Sequence, residues 1–226
     1  MKQIKKIRGL SAKNVWDYEN GFYWYSSKSR LNKIISHYEL YKSIINIPGH
    51  ILEFGVYKGI SLIRFATFRE TLENECSRKI VGFDTFGTFP TDKLENTDDV
   101  NFVKEFQAAG GDGLSYDELS QIFHSKTFQN IELIRGNVFN TLPRYLEDHP
   151  ETRIALLHLD LDVKEPTDIA LDLLYERVVP GGLIVLDDYN SVAGETISVD
   201  NFLKTRHLKL EKLPFNSSPS YIRIPV

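Results

Sequence analysis

Between Ser29 and Asn46 the apolar residues Leu31, Ile34, Ile35, Tyr38, Tyr41, Ile44 and Ile45 recur at the spacing of one helix face. Pro48-Gly49 then stops the run, so an amphipathic helix is predicted there. The next residues, HILEFGV (50–56), form a short apolar stretch ending at glycine, and a helical pattern follows from Ser61 to about Glu75. Strand, tight turn and helix are the expected order.

The same unit recurs along the chain. Arg78–Asp84 (RKIVGFD), Asn130–Asn137 (NIELIRGN), Arg153–Asp162 (RIALLHLDLD) and Gly182–Tyr189 (GLIVLDDY) all read as strands. Helical stretches such as Pro166–Val178 separate most of them. Near-continuous apolar strands linked by helices indicate a parallel sheet covered on both faces, so the predicted class is α/β, doubly wound. After a helix near Ser198–Arg206, LKLEKLPF and SYIRIPV read as two strands joined through Asn216 to Pro219, a terminal antiparallel hairpin.

One stretch departs from the alternation. Thr85 to Gly113 is mostly polar or small, which predicts a long loop. It follows the second strand and so emerges at the carboxyl edge of the sheet, either as a binding lid or as a surface excursion.

The chain has 226 residues, which argues for one domain spanning 1–226. Within it, 1–47 reads as an N-terminal helical extension or lid and 85–113 as an active-site loop. Lys plus Arg is 27 against 31 Asp plus Glu, a net charge of −4, so no global positive field favours nucleic acid as a partner. No run approaches the roughly 18 apolar residues that span a bilayer, and the polar SAKNVWDYEN stands where a secretion signal carries its apolar core. The single cysteine, Cys76, cannot form an intramolecular disulfide. A cytoplasmic protein with no membrane partner is expected.

Three groups of residues can carry chemistry. Glu53-Phe-Gly55-Val-Tyr-Lys-Gly59-Ile-Ser61 turns a strand end into a helix through two glycines, which admits a ligand close to the backbone or simply relieves steric crowding. Its spacing is neither G-x-G-x-x-G nor a P-loop. Asp84 closes the second strand, where a carboxylate accepts hydrogen bonds from ribose hydroxyls or caps a local turn. Asp160 and Asp162 end one strand and Asp187 and Asp188 the next. Alternation puts Asp160 and Asp162 on one face, and adjacency of the strands brings all four carboxylates together. Such acids repel one another unless a hard divalent cation such as Mg²⁺ joins them; separate caps and exposed loop acids are the alternative. His158, inside an apolar strand, reads as a core residue. Phe22-Tyr-Trp-Tyr25 reads as a lid, a buried patch or a subunit interface. Lys164 and Arg64 lie close enough in sequence to these motifs to meet an anionic substrate, although solvated charges are the ordinary expectation.

The series ILEFGVYKGISL, IVGFDTFGTFP, LHLDLDVKEPT and PGGLIVLDDY resembles the macrocin O-methyltransferase (TylF-type) family of S-adenosylmethionine-dependent enzymes, which methylate sugar hydroxyls. The likeness runs from about Tyr18 to the C-terminus. It implies the class I methyltransferase fold, a Rossmann-like, mostly parallel seven-stranded sheet with its last strand antiparallel. It also implies that Glu53, Gly55, Val56, Gly59 and Ser61 surround the methionine portion of S-adenosylmethionine, with Asp160 also beside the cofactor. Asp84 would hold the ribose, and Gly136, Asn137 and Val138 would lie by the adenine. By the same resemblance Asp160, Asp187 and Asp188 hold Mg²⁺ or a similar divalent cation, and Asp162 is the general base. The implied acceptor is a sugar or nucleotide sugar, with a dTDP-linked 6-deoxyhexose methylated at its 3-hydroxyl as the nearest match, and the implied assembly is a homo-oligomer such as a dimer. The motif DTFGTFP departs from relatives that carry an acidic residue in its middle. Competing readings are an NAD(P)-linked sugar-nucleotide oxidoreductase, which lacks its glycine fingerprint and a Tyr-x-x-x-Lys pair here, and a catalytically silent binding protein, against which the four carboxylates argue.

Overall fold

The computed structural model describes residues 6–226. Two helices, α1 (Val15–Tyr25) and α2 (Lys28–Lys42), lead into β1 (His50–Phe54), α3 (Ile60–Leu72) and β2 (Ile80–Asp84). Helices α4 (Thr97–Gly110) and α5 (Tyr116–Ser125) come before β3 (Ile131–Arg135), α6 (Val138–Asp148), β4 (Ile154–Leu159) and α7 (Lys164–Leu174). The chain finishes with β5 (Val178–Leu186), α8 (Ala193–Lys204), β6 (Leu210–Lys212) and β7 (Ser220–Arg223).

These strands make one seven-stranded sheet in the order β3-β2-β1-β4-β5-β7-β6. The first five run parallel, and β7 pairs antiparallel with both β5 and β6. The expected hairpin therefore exists, with its second strand inserted beside β5. Period-two alternation divides the interior into two layers. Leu52, Phe54, Leu157, Leu159, Ile184 and Leu186 face residues of α6, α7 and α8 on one side. Ile51, Leu156, Leu183 and Val185 face α2, α3 and α5 on the other. Strands buried on both sides must be apolar throughout, which is why IALLHL carries no exposed position.

The winding direction reverses between β1 and β4, opening a crevice at the carboxyl ends of these strands where ligands of such sheets bind. Among the described residues no helix is long and apolar enough to cross a membrane.

Two expectations need correction. The 85–113 stretch is not a continuous loop, because α4 occupies Thr97–Gly110 within it. The Asn96 side chain caps Asp98 N, Asp98 and Asp99 complement the positive end of the helix dipole, and Gly111 at φ 69° ends the helix. The strands carrying the acids also stop earlier than predicted, at Leu159 and Leu186, so all four carboxylates lie just beyond the strand ends.

Candidate active site

The crevice holds a cavity of about 330 Å³. Gly55, Asp84, Gly136, Asn137 and Val138 line one part of it, and Asp160, Asp162, Asp187 and Asp188 another. Glycine at 55 is required by two constraints. Its φ is 83°, and a Cβ there would stand 1.7 Å from the carbonyl oxygen of Asp160, where the chain leaving β4 crosses β1. This close crossing brings the glycine turn and the first acid to one point. Asp84 accepts from Tyr57 N at 2.8 Å and from Phe86 N at 2.6 Å, which ties the turn after β1 to the end of β2. Asn137 caps α6 by accepting from Phe139 N at 3.1 Å.

Glu53, Val56, Gly59 and Ser61 are not among the cavity-lining residues. Glu53 is fully buried and accepts from Ser61 Oγ at 2.8 Å, so this pair lies beneath the turn. Gly59, at φ 73°, starts α3 against the side chain of Leu119. These positions shape the turn that the cavity touches at Gly55 and Tyr57.

The acids divide into two sets. One carboxylate oxygen from each of Asp160, Asp162 and Asp188 lies within 4.8 Å of the others. Asp162 reaches this cluster through a turn after the strand, at φ 62°, and not through strand alternation. Asp188 Oδ2 is buried and has no hydrogen-bond partner among the described residues. Burial raises the carboxyls of Asp160 and Asp162 well above the usual range, Asp187 and Asp188 adding to the effect at Asp160 and Asp188 at Asp162. Asp188 is raised by burial and by Asp187. Glu195, fully buried, donates nothing as a carboxylate and accepts from Asp188 N at 3.0 Å; burial and then Asp188 push its carboxyl well above the usual range.

Asp187 belongs to the second set. Two residues beyond Val185, it falls on the sheet face covered by α2 and α3, and Asp188 turns the other way. Lys33 of α2 pairs with Asp187 Oδ2. His158 Nε2 stands 3.4 Å from Asp187 Oδ1, and its Nδ1 stands 3.5 Å from Glu53 Oε2. Burial alone would lower the His158 pKa, but Asp187 and Glu53 on either side outweigh it and lift the imidazole to about 9. Burial would raise Asp187, yet the hydrogen bond from His158 and the Lys33 charge prevail and hold the carboxyl well below the usual range. His37 stacks on Phe65 with 5.2 Å between ring centroids, and burial pushes its pKa down to about 4. His158 is thus a fully buried core residue, as expected, that stands between a motif glutamate and a motif aspartate.

Sequence reasoning missed Lys33, His37, Glu195 and Asp99. Lys33 and His37 are four apart on α2, and that spacing was the available signal that both reach one neighbour. Asp99 of α4 is buried and accepts from Lys164 N at 2.9 Å, fixing α4 to the start of α7. Tyr57 donates to Gly110 O at 2.8 Å and packs on Phe106, which anchors the far end of α4 over the cavity. Lys164 pairs with Asp168 at 2.5 Å. Arg64 is half-buried, and burial lowers its pKa. In α1, Tyr23, Trp24 and Tyr25 are 61%, 69% and 84% exposed, so the aromatic stretch is mostly on the surface.

Residues 24–216 match the macrocin O-methyltransferase (TylF) model. The chain belongs to this family. A rhamnosyl-tetracenomycin-C 4′-O-methyltransferase of Streptomyces olivaceus is 29% identical over 147 residues, 63% of this chain and 54% of that protein. The match thus spans about half the length of this curated relative. The structure of CalS11, a calicheamicin methyltransferase, superposes with a TM-score of 0.70 at 29% identity, covering 94% of this chain and 86% of CalS11. The O-methyltransferase NovP gives a TM-score of 0.72 at 20% identity over 86% of this chain and 80% of NovP, a likeness of fold. The family's class I methyltransferase sheet is the one found here.

Proposed function

We propose that this protein is an S-adenosylmethionine-dependent, Mg²⁺-dependent O-methyltransferase acting on a sugar hydroxyl. The observation that carries the reading is the group of three incompletely neutralised carboxylates, Asp160, Asp162 and Asp188, opening on the same cavity as Gly55, Asp84 and Gly136. The donor set suits a hard cation, since all the groups are carboxylate oxygens and one, Asp188 Oδ2, is buried without a partner. Asp160 and Asp188 would hold the metal, with Asp187 joining them if it is released from Lys33. When bound, the metal lowers the pKa of the acceptor's hydroxyl, and the cofactor supplies a sulfonium methyl with a good leaving group.

The chain's own residues do the rest. Asp84 would orient the cofactor ribose with oxygens already fixed by Tyr57 N and Phe86 N. Glu53, Val56, Gly59 and Ser61 would act by shaping the turn, and Asn137 and Val138 would border the adenine. Asp162 would receive the acceptor proton on a carboxylate oxygen. Alignment of the acceptor oxygen with the methyl group supplies much of the acceleration in such displacements. Phe89, Pro90 and Leu94, before α4, would contact the acceptor and keep water out.

A dTDP-linked 6-deoxyhexose is the proposed acceptor, supported by the TDP-rhamnose 3′-O-methyltransferase named for the apo structure of CalS11, which superposes with a TM-score of 0.67 at 29% identity. The exposed aromatic face of α1 supports a homodimer. Isothermal titration with S-adenosylmethionine and, separately, NAD⁺ tests the cofactor assignment. Saturable binding of the former alone is expected, and binding of NAD⁺ alone would overturn it.

A further inference from the structure

A divalent cation entering this site meets a charge already there. Lys33 is the one lysine or arginine ion-paired with any of the four strand-end aspartates among the described residues. Its ammonium takes Asp187 Oδ2, while Asp187 Oδ1 faces His158, so both oxygens of that carboxylate are engaged. Lys33 lines the cavity together with Asp160, Asp162 and Asp188. The lysine side chain is 30% exposed and the aspartate 3%, so the flexible partner of this pair is the lysine.

We propose that Lys33 is a built-in counter-cation that a metal must displace from Asp187, so that Lys33 sets the metal affinity of the site. The inference rests on the metal-dependent reading above and adds a residue to it. The physical ground is simple. An ammonium and a divalent ion repel each other across a half-buried site, where charge interactions are several-fold stronger than in water. With Lys33 in place, Asp160 and Asp188 are the metal-holding carboxylates free to receive the ion, with Asp162 beside them. With Lys33 withdrawn, Asp187 adds its Oδ2. Because Lys33 belongs to α2, withdrawal of its side chain links occupancy of the site to the N-terminal helical layer.

The test is isothermal titration of Mn²⁺ into the protein without cofactor or acceptor, comparing wild type with K33M, K33Q and K33R. Removing the charge is expected to lower the dissociation constant about tenfold in K33M and K33Q. K33R, which keeps the charge, is expected to stay near wild type. Thermal melts identify any variant that fails to fold, and two neutral variants guard against that loss. D188N serves as the control and is expected to abolish binding. Equal or weaker Mn²⁺ binding in folded K33M and K33Q would overturn the role of Lys33 while leaving the metal site standing. No binding by wild type or by the neutral variants, or full binding by D188N, would overturn both the metal reading and this inference.

Discussion

Asp187 and Asp188 are consecutive residues of one type, and the fold gives them opposite electrostatic settings. Asp187 points under α2, where Lys33 and His158 hold it ionised. Asp188 points into the cluster with Asp160 and Asp162, one of its oxygens buried without a partner, and its pKa is raised. The difference comes from strand alternation carried past the end of β5. One aspartate stabilises the folded chain, and its neighbour stores repulsion that a ligand can relieve.

Substituting each aspartate in turn has opposite expected effects on stability. Asp187→Asn removes the partner of two buried or half-buried cations and is expected to cost about 3–5 kcal/mol of stability. Asp188→Asn removes a like charge and is expected to raise the melting temperature of the metal-free protein. Chemical denaturation of both variants in chelator checks the signs, and two shifts in the same direction would refute the division into two sets.

A smaller effect is expected from pH. His158, lifted from 6.5 to about 9 in the folded chain, contributes on the order of 3 kcal/mol that is fully present below pH 6.5 and lost as pH rises through 9. Asp160, Asp162 and Glu195, raised in the folded chain, bind protons that the unfolded chain has already released, so they also make stability fall as pH rises. Unfolding in chelator should therefore show lower stability at pH 9 than at pH 6. A rise over that interval would contradict the assigned environments.

The fold was largely legible because buried parallel strands have an unmistakable pattern, as in IALLHL and LIVL. The α4 helix was legible too, since Val100, Val103 and Phe106 recur at helical spacing behind the capping Asn96 and ahead of Gly111, but the polar and small residues on either side mask it. The acids were legible as a group at the strand ends. Their division was not, for two reasons. Asp162 arrives through a left-handed turn, a backbone state that Asp does not announce in sequence. Lys33 and His37 arrive from a helix more than 120 residues away in the chain, and nothing local in LHLD or LDDY signals them. Glu53 and Ser61 show a related limit, for their motif positions mark a buried support beneath the cavity.

The strand-end carboxylates are proposed to act with a divalent cation in transferring a methyl group to a sugar. The most direct measurement is mass spectrometry of a dTDP-6-deoxyhexose acceptor incubated with the protein and S-adenosylmethionine, with Mg²⁺, with chelator, and with chelator followed by excess Mg²⁺. The expected result is a methylated product that disappears with chelator, returns with Mg²⁺, and falls by about 10²–10⁴-fold in Asp162→Asn with cofactor binding unchanged. Methylation that persists undiminished in chelator and in Asp162→Asn would contradict it.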